Sequence, residues 1–300
     1  MQKITPNLWF KRNAKEAVNF YLSILPHGKI IDTNYYPTSE AEGLADFQKE
    51  FAGDVLAISF EIKGHSFVAI NADDTFKPNP SISFFLNFDP LHNPHAQAEL
   101  NTLWEKLLDG GRVLMPLQEY PFSKRYGWVE DKYGISWQLI FTNPKGEERP
   151  FITPSLMFAN ELCGKAEEAT DFYLSLFKDA KRYVIAHYGK GSEPNKEGSV
   201  MFTDFTLAKQ FFAAMDAGGK HEFIFNEGIS LNIACKDQEE IDYYWNALTK
   251  DGGQESVCGW LKDKYGLSWQ VSPENMKELI KKPRAFAKMM GMKKIVIADF

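Results

Sequence analysis

The chain lacks several features that mark whole classes of protein. It has three cysteines, Cys163, Cys235 and Cys258, and this odd number in the second half is typical of a reduced protein without a disulfide framework. No run of about 20 apolar residues is present, so no membrane-spanning helix is predicted. The first residues, Met-Gln-Lys-Ile-Thr-Pro, carry no apolar secretory segment. These absences predict a cytoplasmic protein that does not enter a membrane.

Charge and catalytic motifs are also sparse. The formal charge is −6 and no run of Lys or Arg occurs, so no binding of nucleic acid is predicted. The chain has no Gly-x-Ser-x-Gly, no phosphate-binding Gly-Lys-Ser/Thr loop and no Cys-x-x-Cys. Gly189-Lys-Gly191 follows a predicted strand but opens no helix, so it is not a dinucleotide fingerprint. The sequence predicts no cofactor.

What the chain does contain is a repeated stretch. Residues 127–139 and 259–271 agree at nine of thirteen positions, including two Trp, a Tyr and a Gln in the same order. Each copy reads as strand, tight turn and strand, because Asp131 can accept a backbone N–H and Gly134 tolerates positive φ. The alternation after the turn places Trp137 and Gln138 on opposite faces of the strand. A hairpin is therefore predicted to aim Gln138, and its equivalent Gln270, away from the hydrophobic layer.

The repeat extends over the whole chain. Apolar positions three and four apart predict a helix over 13–25, and a shift of 152 residues reproduces it. Each half reads β-α-β-β-β twice, which predicts an α+β fold of four βαβββ units. The polar segment 143–150 suggests two domains, 1–145 and 150–300, and 44% hydrophobic residues suffice for two cores. An amphipathic tail after Pro273 has no counterpart in the first half.

Several stretches carry a resemblance to a known family. They are Asn13-Ala-Lys-Glu-Ala-Val-Asn-Phe-Tyr21, Ala166-Glu-Glu-Ala-Thr-Asp-Phe-Tyr173, Asp237–Trp245, Cys258–Gln270 and the segment 292–297. The chain resembles the PhnB-like group labelled 3-demethylubiquinone-9 3-methyltransferase, in a tandem two-domain form. This group lies in the vicinal oxygen chelate superfamily, which includes glyoxalase I, bleomycin-resistance proteins and extradiol dioxygenases. The resemblance implies sheets that curl around a cavity.

Metal-dependent members of that superfamily hold an ion with one ligand on each of four strands. Alignment on the helix and hairpin places these positions at Pro6 and Pro154, Ala69 and Ala214, Ser83 and Ser230, and Gln138 and Gln270. None of them is a carboxylate or an imidazole, whereas a divalent ion needs about three such donors. The resemblance therefore implies a metal-independent member.

The strand alternation also predicts which side chains line the cavities. A wall rich in Phe with a few polar groups suits a small apolar or aromatic molecule, although the same Phe residues could simply fill the barrel as core. Trp128 and Trp260 could stack on a planar ligand or pack within the hairpin. The candidate ligand-binding residues are Phe10, Phe67, Ser83, Phe85, Trp128 and Gln138 in the first half, and Phe158, Phe212, Ser230, Asn232, Trp260 and Gln270 in the second.

Three other features have a functional and a structural interpretation. Cys258 could be a nucleophile, but no base is placed beside it, and a buried structural thiol is the favoured interpretation. The pair His92 and His95 has no evident third ligand, so a solvated loop is favoured. The acidic segment 40–54 could cover the first cavity or form a solvated excursion.

These observations predict a metal-independent small-molecule-binding protein or a cofactor-free enzyme, and leave open whether any reaction is catalysed. A metal-dependent lyase, isomerase or dioxygenase is the alternative, and it would require carboxylates or His on the inner strands. A methyltransferase is a third possibility that the family label suggests, but the Gly-rich turn that usually binds S-adenosylmethionine is absent. The duplication suits either a monomer whose domains mimic a dimer or a homodimer.

Overall fold

The computed structural model describes residues 2–143 and 148–300. It confirms the α+β class and the four βαβββ modules. The first module contains β1 (Ile4–Lys11), α1 (Ala14–Ile24), β2 (Gly28–Tyr35), β3 (Val55–Ile62) and β4 (His65–Ala72). The second contains β5 (Ile82–Phe88), α2 (Ala96–Leu108), β6 (Arg112–Tyr120), β7 (Ser123–Glu130) and β8 (Ser136–Phe141).

The second half repeats this order and adds a tail. The third module contains β9 (Ile152–Ala159), α3 (Ala166–Leu176), β10 (Lys181–His187), β11 (Val200–Leu207) and β12 (Gln210–Ala217). The fourth contains β13 (Ile229–Cys235), α4 (Gln238–Thr249), β14 (Gln254–Glu255), β15 (Trp260–Lys262) and β16 (Ser268–Pro273). The tail forms two short helices, α5 (Met276–Leu279) and α6 (Ala285–Met290).

The strands form two eight-stranded mixed sheets, each built from modules that are distant in sequence. One sheet has the order β14-β15-β16-β13-β1-β4-β3-β2, and the other has the order β10-β11-β12-β9-β5-β8-β7-β6. The first strands of two modules join each sheet: β1 pairs antiparallel with β13, and β5 pairs antiparallel with β9. Modules one and four therefore share a sheet, as do modules two and three.

This pairing changes the predicted domain organisation. The chain divides into unit 1 (residues 2–23, 27–77 and 226–300) and unit 2 (residues 24–26 and 78–225), not into 1–145 and 150–300. The sequence repeat marks where the duplication lies, but strand partners are chosen in space. Because the repeated modules present similar first strands, either half can supply the partner, and local sequence does not distinguish the two arrangements.

Helices cover one face of each sheet and form the core there. In unit 1, Phe60 lies between Phe67 of the neighbouring strand and Tyr21 of α1, with ring centroids 5.3 and 6.4 Å away. All three side chains are fully buried, and each such burial stabilises the fold by about 1.5–3 kcal/mol. In unit 2, Trp104 of α2 packs on Gly127, where a Cβ would lie 2.6 Å from the indole. Position 127 therefore requires glycine to let α2 approach the sheet.

No helix in the described ranges has both the length and the apolar character needed to cross a membrane.

Candidate functional site

A buried carboxylate holds each repeated hairpin in shape. Asp131 Oδ1 accepts the backbone N–H groups of Tyr133 (2.8 Å) and Ile135 (3.1 Å), and its Oδ2 accepts the indole N–H of Trp137 at 2.8 Å. The predicted turn is confirmed, and Gly134 adopts φ of 84°. Locking the indole of Trp137 fixes the strand phase, so that Gln138 points to the other face. Asp263 makes the same bonds to Tyr265, Leu267 and Trp269, at 2.8, 3.1 and 2.8 Å.

Unit 1 contains an open cavity of about 560 Å³ on the sheet face opposite helices α1 and α4. Its wall combines aromatic and aliphatic side chains with a few polar groups. Trp9 and Gln270 lie on neighbouring parts of this wall, and Trp260 pairs with Gln270 across β15 and β16. The strand residues that line it are Asn7, Trp9, Leu56, Ala57, Val68, Ile70, Ala72, Gln254, Glu255, Trp260, Leu261, Lys262, Ser268 and Gln270.

The strand phase predicted for β1 and β4 is wrong. Asn7 and Trp9 line the cavity, so Phe10 points to the opposite, helix-covered face. Phe67 likewise packs in the helix-side core against Phe60, while Val68 faces the cavity. The register explains the error: Asn7 pairs with Ser230 across β1 and β13, and directly paired residues share a face. Phe10 and Phe67 are therefore core residues.

The same correction applies to unit 2. Phe158 packs edge-to-face on Phe225 at 5.1 Å, and Phe212 stacks on Phe205 at 6.0 Å, while Ala213 joins the cluster on the inner face. All eight residues of β9 are buried, including the polar Thr153 and Ser155, so neither face of the strand is exposed to solvent. The contrast between a buried and a solvated side, which marks the phase of other strands, is therefore missing. Phe158 and Phe212 are also core residues.

The inner face of unit 2 carries an aromatic cluster of its own side chains. Phe85, Tyr126 and Ala213 form a cluster against which Phe202 and Trp128 pack, and the rings of Phe85 and Phe202 meet edge-to-face at 6.2 Å. Here the interpretation that aromatic residues fill the barrel is the correct one. Phe85 and Trp128, proposed from sequence as ligand contacts, serve as packing in this unit.

Hydrogen bonds link the polar side chains on the inner face of unit 2. The hydroxyl of Tyr126 donates to Gln138 Oε1 at 2.6 Å, and Gln138 Nε2 donates to Ser83 Oγ at 2.8 Å. Burial raises the pKa of Tyr126 well above its ordinary value, so the phenol stays protonated as a donor. The indole of Trp128 donates to Ser136 Oγ at 2.6 Å. The predicted site residues Ser83 and Gln138 thus meet, but their partners belong to the protein.

Unit 1 lacks three aromatic residues that belong to the inner-face cluster of unit 2. Ala57 is the third residue of β3, where β11 has Phe202. Asn232 is the fourth residue of β13, where β5 has Phe85, and Cys258 precedes the hairpin glycine where the other copy has Tyr126. Comparing the two halves position by position would have revealed these replacements, which the sequence reasoning missed.

The cavity of unit 1 is bordered by paired and unpaired polar groups. Gln270 Nε2 donates to Ser230 Oγ at 2.9 Å, which repeats the Gln138–Ser83 pair. Asn232 accepts a hydrogen bond from Ser272 Oγ at 2.8 Å and does not line the cavity. Asn7 Oδ1 and Ser268 Oγ are buried without a hydrogen-bond partner in the described part of the chain. Both residues line the cavity.

Three aromatic rings stand at right angles along one side of the cavity. Trp9 lies 5.1 Å from Phe76 and 6.3 Å from Trp260 between ring centroids, with interplanar angles of 82° and 80°. The indole N–H of Trp9 donates to the Asp73 carbonyl at 2.9 Å, which fixes the ring. Trp260, predicted as a stacking residue, is therefore exposed to the cavity in unit 1, whereas Trp128 is packed in unit 2.

A cover of two segments forms the remaining wall. The segment after β2 and helix α6 meet in an apolar cluster of Tyr36, Leu44, Phe51 and Phe286, with Met289 and Met290 packed against it. Gly43, at φ of 106°, lets the segments touch, since a Cβ there would lie 2.7 Å from the Ala287 nitrogen. The acidic segment is thus a cavity wall, and the tail closes over the same unit.

The corrected strand phase still leaves a donor set that does not fit a divalent ion. The inward-facing residues at the four strand positions are Asn7, Val68 or Ile70, Ser230 and Gln270 in unit 1. These supply neutral amides, a hydroxyl and hydrocarbon, whereas divalent ions favour imidazole, thiolate or carboxylate ligands. Across residues 2–143 and 148–300, no group of three or more His, Cys, Asp or Glu side chains could hold a metal ion.

The remaining candidates have structural surroundings. Cys258 Sγ lies 3.4 Å from Met290 Sδ at the cavity wall, and burial raises the pKa of its thiol to about 11. A protonated thiol is a weak nucleophile. His92 is exposed and pairs with Asp89 at 2.8 Å, which raises the pKa of His92. His95 precedes α2 in the same exposed loop.

Comparison with known proteins gives a family and a fold. The family model described as 3-demethylubiquinone-9 3-methyltransferase matches residues 2–140 and 150–272. No curated protein sequence matches the chain. A PhnB protein of Bacillus cereus, described as a 3-demethylubiquinone-9 3-methyltransferase, is 34% identical over 47% of this chain and 100% of its own, with a TM-score of 0.39. Glyoxalase I from Zea mays is 9% identical over 92% of this chain and 95% of its own, with a TM-score of 0.56, which shows a shared fold.

Proposed function

The chain belongs to the 3-demethylubiquinone-9 3-methyltransferase family, the PhnB-like branch of the vicinal oxygen chelate proteins, and from this premise we propose that it is a metal-independent small-molecule-binding protein. Its ligand is a small, mostly apolar or aromatic molecule that occupies the cavity of unit 1. Any reaction would use the ligand's own reactivity and neutral side chains, without a cofactor. Unit 2 has the same framework as unit 1, but its role is structural, because its own side chains pack on the inner face.

The observation that carries this proposal is the contrast between the two units. The inner face of unit 2 carries Phe85, Tyr126 and Phe202. The equivalent positions of unit 1 hold the smaller residues Asn232, Cys258 and Ala57, of which Cys258 and Ala57 line the cavity. An unfilled cavity in a packed interior forfeits stability, so an open one is more economically explained by a ligand than by packing. The volume of about 560 Å³ lies in the range of small-molecule sites.

The lining supports a planar ligand with one polar edge. Trp9, Phe76 and Trp260 offer ring faces and edges to an aromatic molecule. Asn7, Ser268 and Gln270 lie on the strand side of the same cavity, where they can orient a polar substituent. A mostly apolar wall with a few placed polar groups is the usual composition of such sites.

The family's description names methyl transfer, but the chain offers little that would support it. The four strand-to-helix connections at 12–13, 89–95, 160–165 and 236–237 contain no Gly-x-Gly. The usual S-adenosylmethionine site needs a glycine-rich turn opening a helix in a parallel sheet. The neutral residues at the four strand positions likewise argue against a metal-assisted reaction.

A ligand screen with a plugged control tests the proposal. Naphthalene, naphthols and quinone-like compounds are titrated while the Trp fluorescence and the thermal midpoint are followed. The matched variant Ala57→Phe/Asn232→Phe places in unit 1 the residues that unit 2 already accommodates. We expect saturable binding to the wild type and none to the folded double variant.

Two results would overturn the proposal. One is the absence of saturable binding with every compound, and the other is equal binding by the plugged variant. Metal content after purification provides an independent check. Stoichiometric zinc, nickel or iron would show that the protein is a metal-dependent member.

A further inference from the structure

We infer that the ligand of unit 1 carries a hydrogen-bond donor on its aromatic ring, so that the protein binds hydroxylated aromatic compounds in preference to their ether or carbonyl counterparts. This inference rests on the proposed function and adds the chemical class of the ligand. It follows from the hydrogen-bonding atoms that the cavity leaves unpaired and from the phenol that occupies the equivalent place in unit 2.

Asn7 provides an unpaired acceptor. Its side chain is 5% exposed and lies on the inner face of β1, between Ser230 of β13 and Val68 of β4. Asn7 Oδ1 is buried and finds no hydrogen-bond partner in the described residues. A buried amide oxygen without a partner destabilises the folded state, so its retention beside an open cavity indicates a donor from a ligand or from water.

Ser268 adds a second unpaired oxygen at 1% exposure. Its equivalent in unit 2, Ser136, accepts the indole N–H of Trp128 at 2.6 Å. Ser155, the unit 2 equivalent of Asn7, also has an unpaired Oγ among the described residues, but it pairs across the sheet with Ala213 of the inner-face cluster. In unit 1, by contrast, the unpaired oxygens belong to residues that line an open cavity.

The third acceptor of the cavity is Gln270 Oε1, and in unit 2 a phenol of the protein itself occupies the equivalent place. There the hydroxyl of Tyr126 donates to Gln138 Oε1 while Gln138 Nε2 donates to Ser83. Gln270 keeps the equivalent bond to Ser230, but Cys258 replaces the tyrosine and brings no phenol. The ligand hydroxyl would therefore bind Gln270 Oε1 as Tyr126 binds Gln138, with the ring in the space that the missing tyrosine leaves.

The charged residues of the wall favour a neutral ligand. Lys262 pairs with Glu227 at 3.0 Å. Glu255 accepts the indole N–H of Trp245 at 2.9 Å and lies 3.5 Å from Lys293. Each charge already has an opposite partner, so neither an anion nor a cation gains a dedicated counter-charge. A neutral phenol satisfies the open acceptors without disturbing these pairs.

Three probes that share one ring system test the inference. 2-Naphthol donates a hydrogen bond, 2-methoxynaphthalene can only accept one, and naphthalene does neither. Dissociation constants are measured at pH 7 by quenching of Trp fluorescence, for the wild type and for the variants Asn7→Leu and Gln270→Leu. Thermal unfolding of each variant verifies that it is folded.

For the wild type we expect 2-naphthol to bind at least about tenfold more tightly than 2-methoxynaphthalene. This ratio is the difference in affinity that one well-formed hydrogen bond produces. In each folded variant this ratio should fall toward one while the affinity for naphthalene is retained. Equal binding of the three probes by the wild type would overturn the donor inference and leave the proposed function standing. A ratio that persists in both variants would also overturn it. Binding of none of the probes counts against the proposed function itself.

Discussion

The hydroxyl of Tyr126 donates a hydrogen bond to Oε1 of Gln138 at 2.6 Å, and both side chains are buried on the inner face of unit 2. The glutamine recurs as Gln270 in unit 1, but the tyrosine does not, since Cys258 takes its place. A duplicated framework has thus kept the acceptor in both copies and the donor in one.

Removing the Tyr126 hydroxyl should destabilise unit 2. The variant Tyr126→Phe keeps the ring that fills the interior but leaves Gln138 Oε1 buried without a donor, which costs about 1–3 kcal/mol. Tyr120→Phe is the matched control, because that hydroxyl donates to the Pro116 carbonyl in an exposed setting. Urea unfolding should show a lower midpoint for the first variant. Equal midpoints would mean that the buried bond contributes no more than the exposed one.

The two hairpin carboxylates should be equally important. In Asp131→Asn and Asp263→Asn, the new amide N–H₂ can meet the indole N–H of Trp137 or Trp269 instead of accepting from it. We expect each change to lower the free energy of unfolding by about 2–3 kcal/mol, since a buried charge-assisted bond is replaced by two facing donors. Asp109→Asn, at an exposed position after α2, is the control. A neutral effect at either copy would contradict the assigned role.

Acid should weaken the fold through His65. Its Nε2 is buried without a hydrogen-bond partner in the described chain, and its ring lies 4.8 Å from Phe67. Burial lowers the pKa of His65 from 6.5 to about 4. The unfolded chain therefore binds a proton between these values while the folded chain does not. Stability is lost as the pH falls from 6.5 to 4, by up to about 3 kcal/mol.

The variant His65→Gln isolates this contribution, because its side chain does not titrate in the same window. The difference in unfolding free energy between wild type and variant should grow steadily more unfavourable to the wild type from pH 6.5 to pH 4. Above pH 6.5 the difference should be constant. A pH-independent difference would show that His65 titrates alike in the folded and unfolded states.

Cys258 should react slowly with alkylating reagents although it lines the cavity. Burial raises the pKa of its thiol to about 11, so the thiolate is scarce at pH 7.5. Iodoacetamide labelling followed by peptide mass spectrometry should show a rate well below that of a free cysteine peptide, with a rise toward pH 10. Rapid labelling at neutral pH would point to an activated nucleophile instead. A saturating aromatic ligand should slow the reaction further.

The local structural elements could be predicted from the sequence. The repeated Asp-x-x-Gly turn, the βαβββ order and the inward orientation of Gln138 and Gln270 all follow from turn chemistry and alternation with polar residues. In a strand with one polar face, the alternation of polar and apolar residues shows which side chains point to each side of the sheet. Position-by-position comparison of the halves could also have identified Ala57, Asn232 and Cys258 as the places where unit 1 loses its filling.

The sequence by itself determined the modules, the duplication, the carboxylate-locked hairpins and the neutral character of the residues on the inner strands. Only the tertiary structure decided that β1 joins β13 and β5 joins β9, and that Phe10, Phe67, Phe158 and Phe212 belong to the helix-side core. It also placed the 560 Å³ cavity in unit 1 and an aromatic cluster on the inner face of unit 2. The physical reason is that periodicity encodes local conformation, whereas strand partners and the phase of doubly buried strands depend on packing between distant segments.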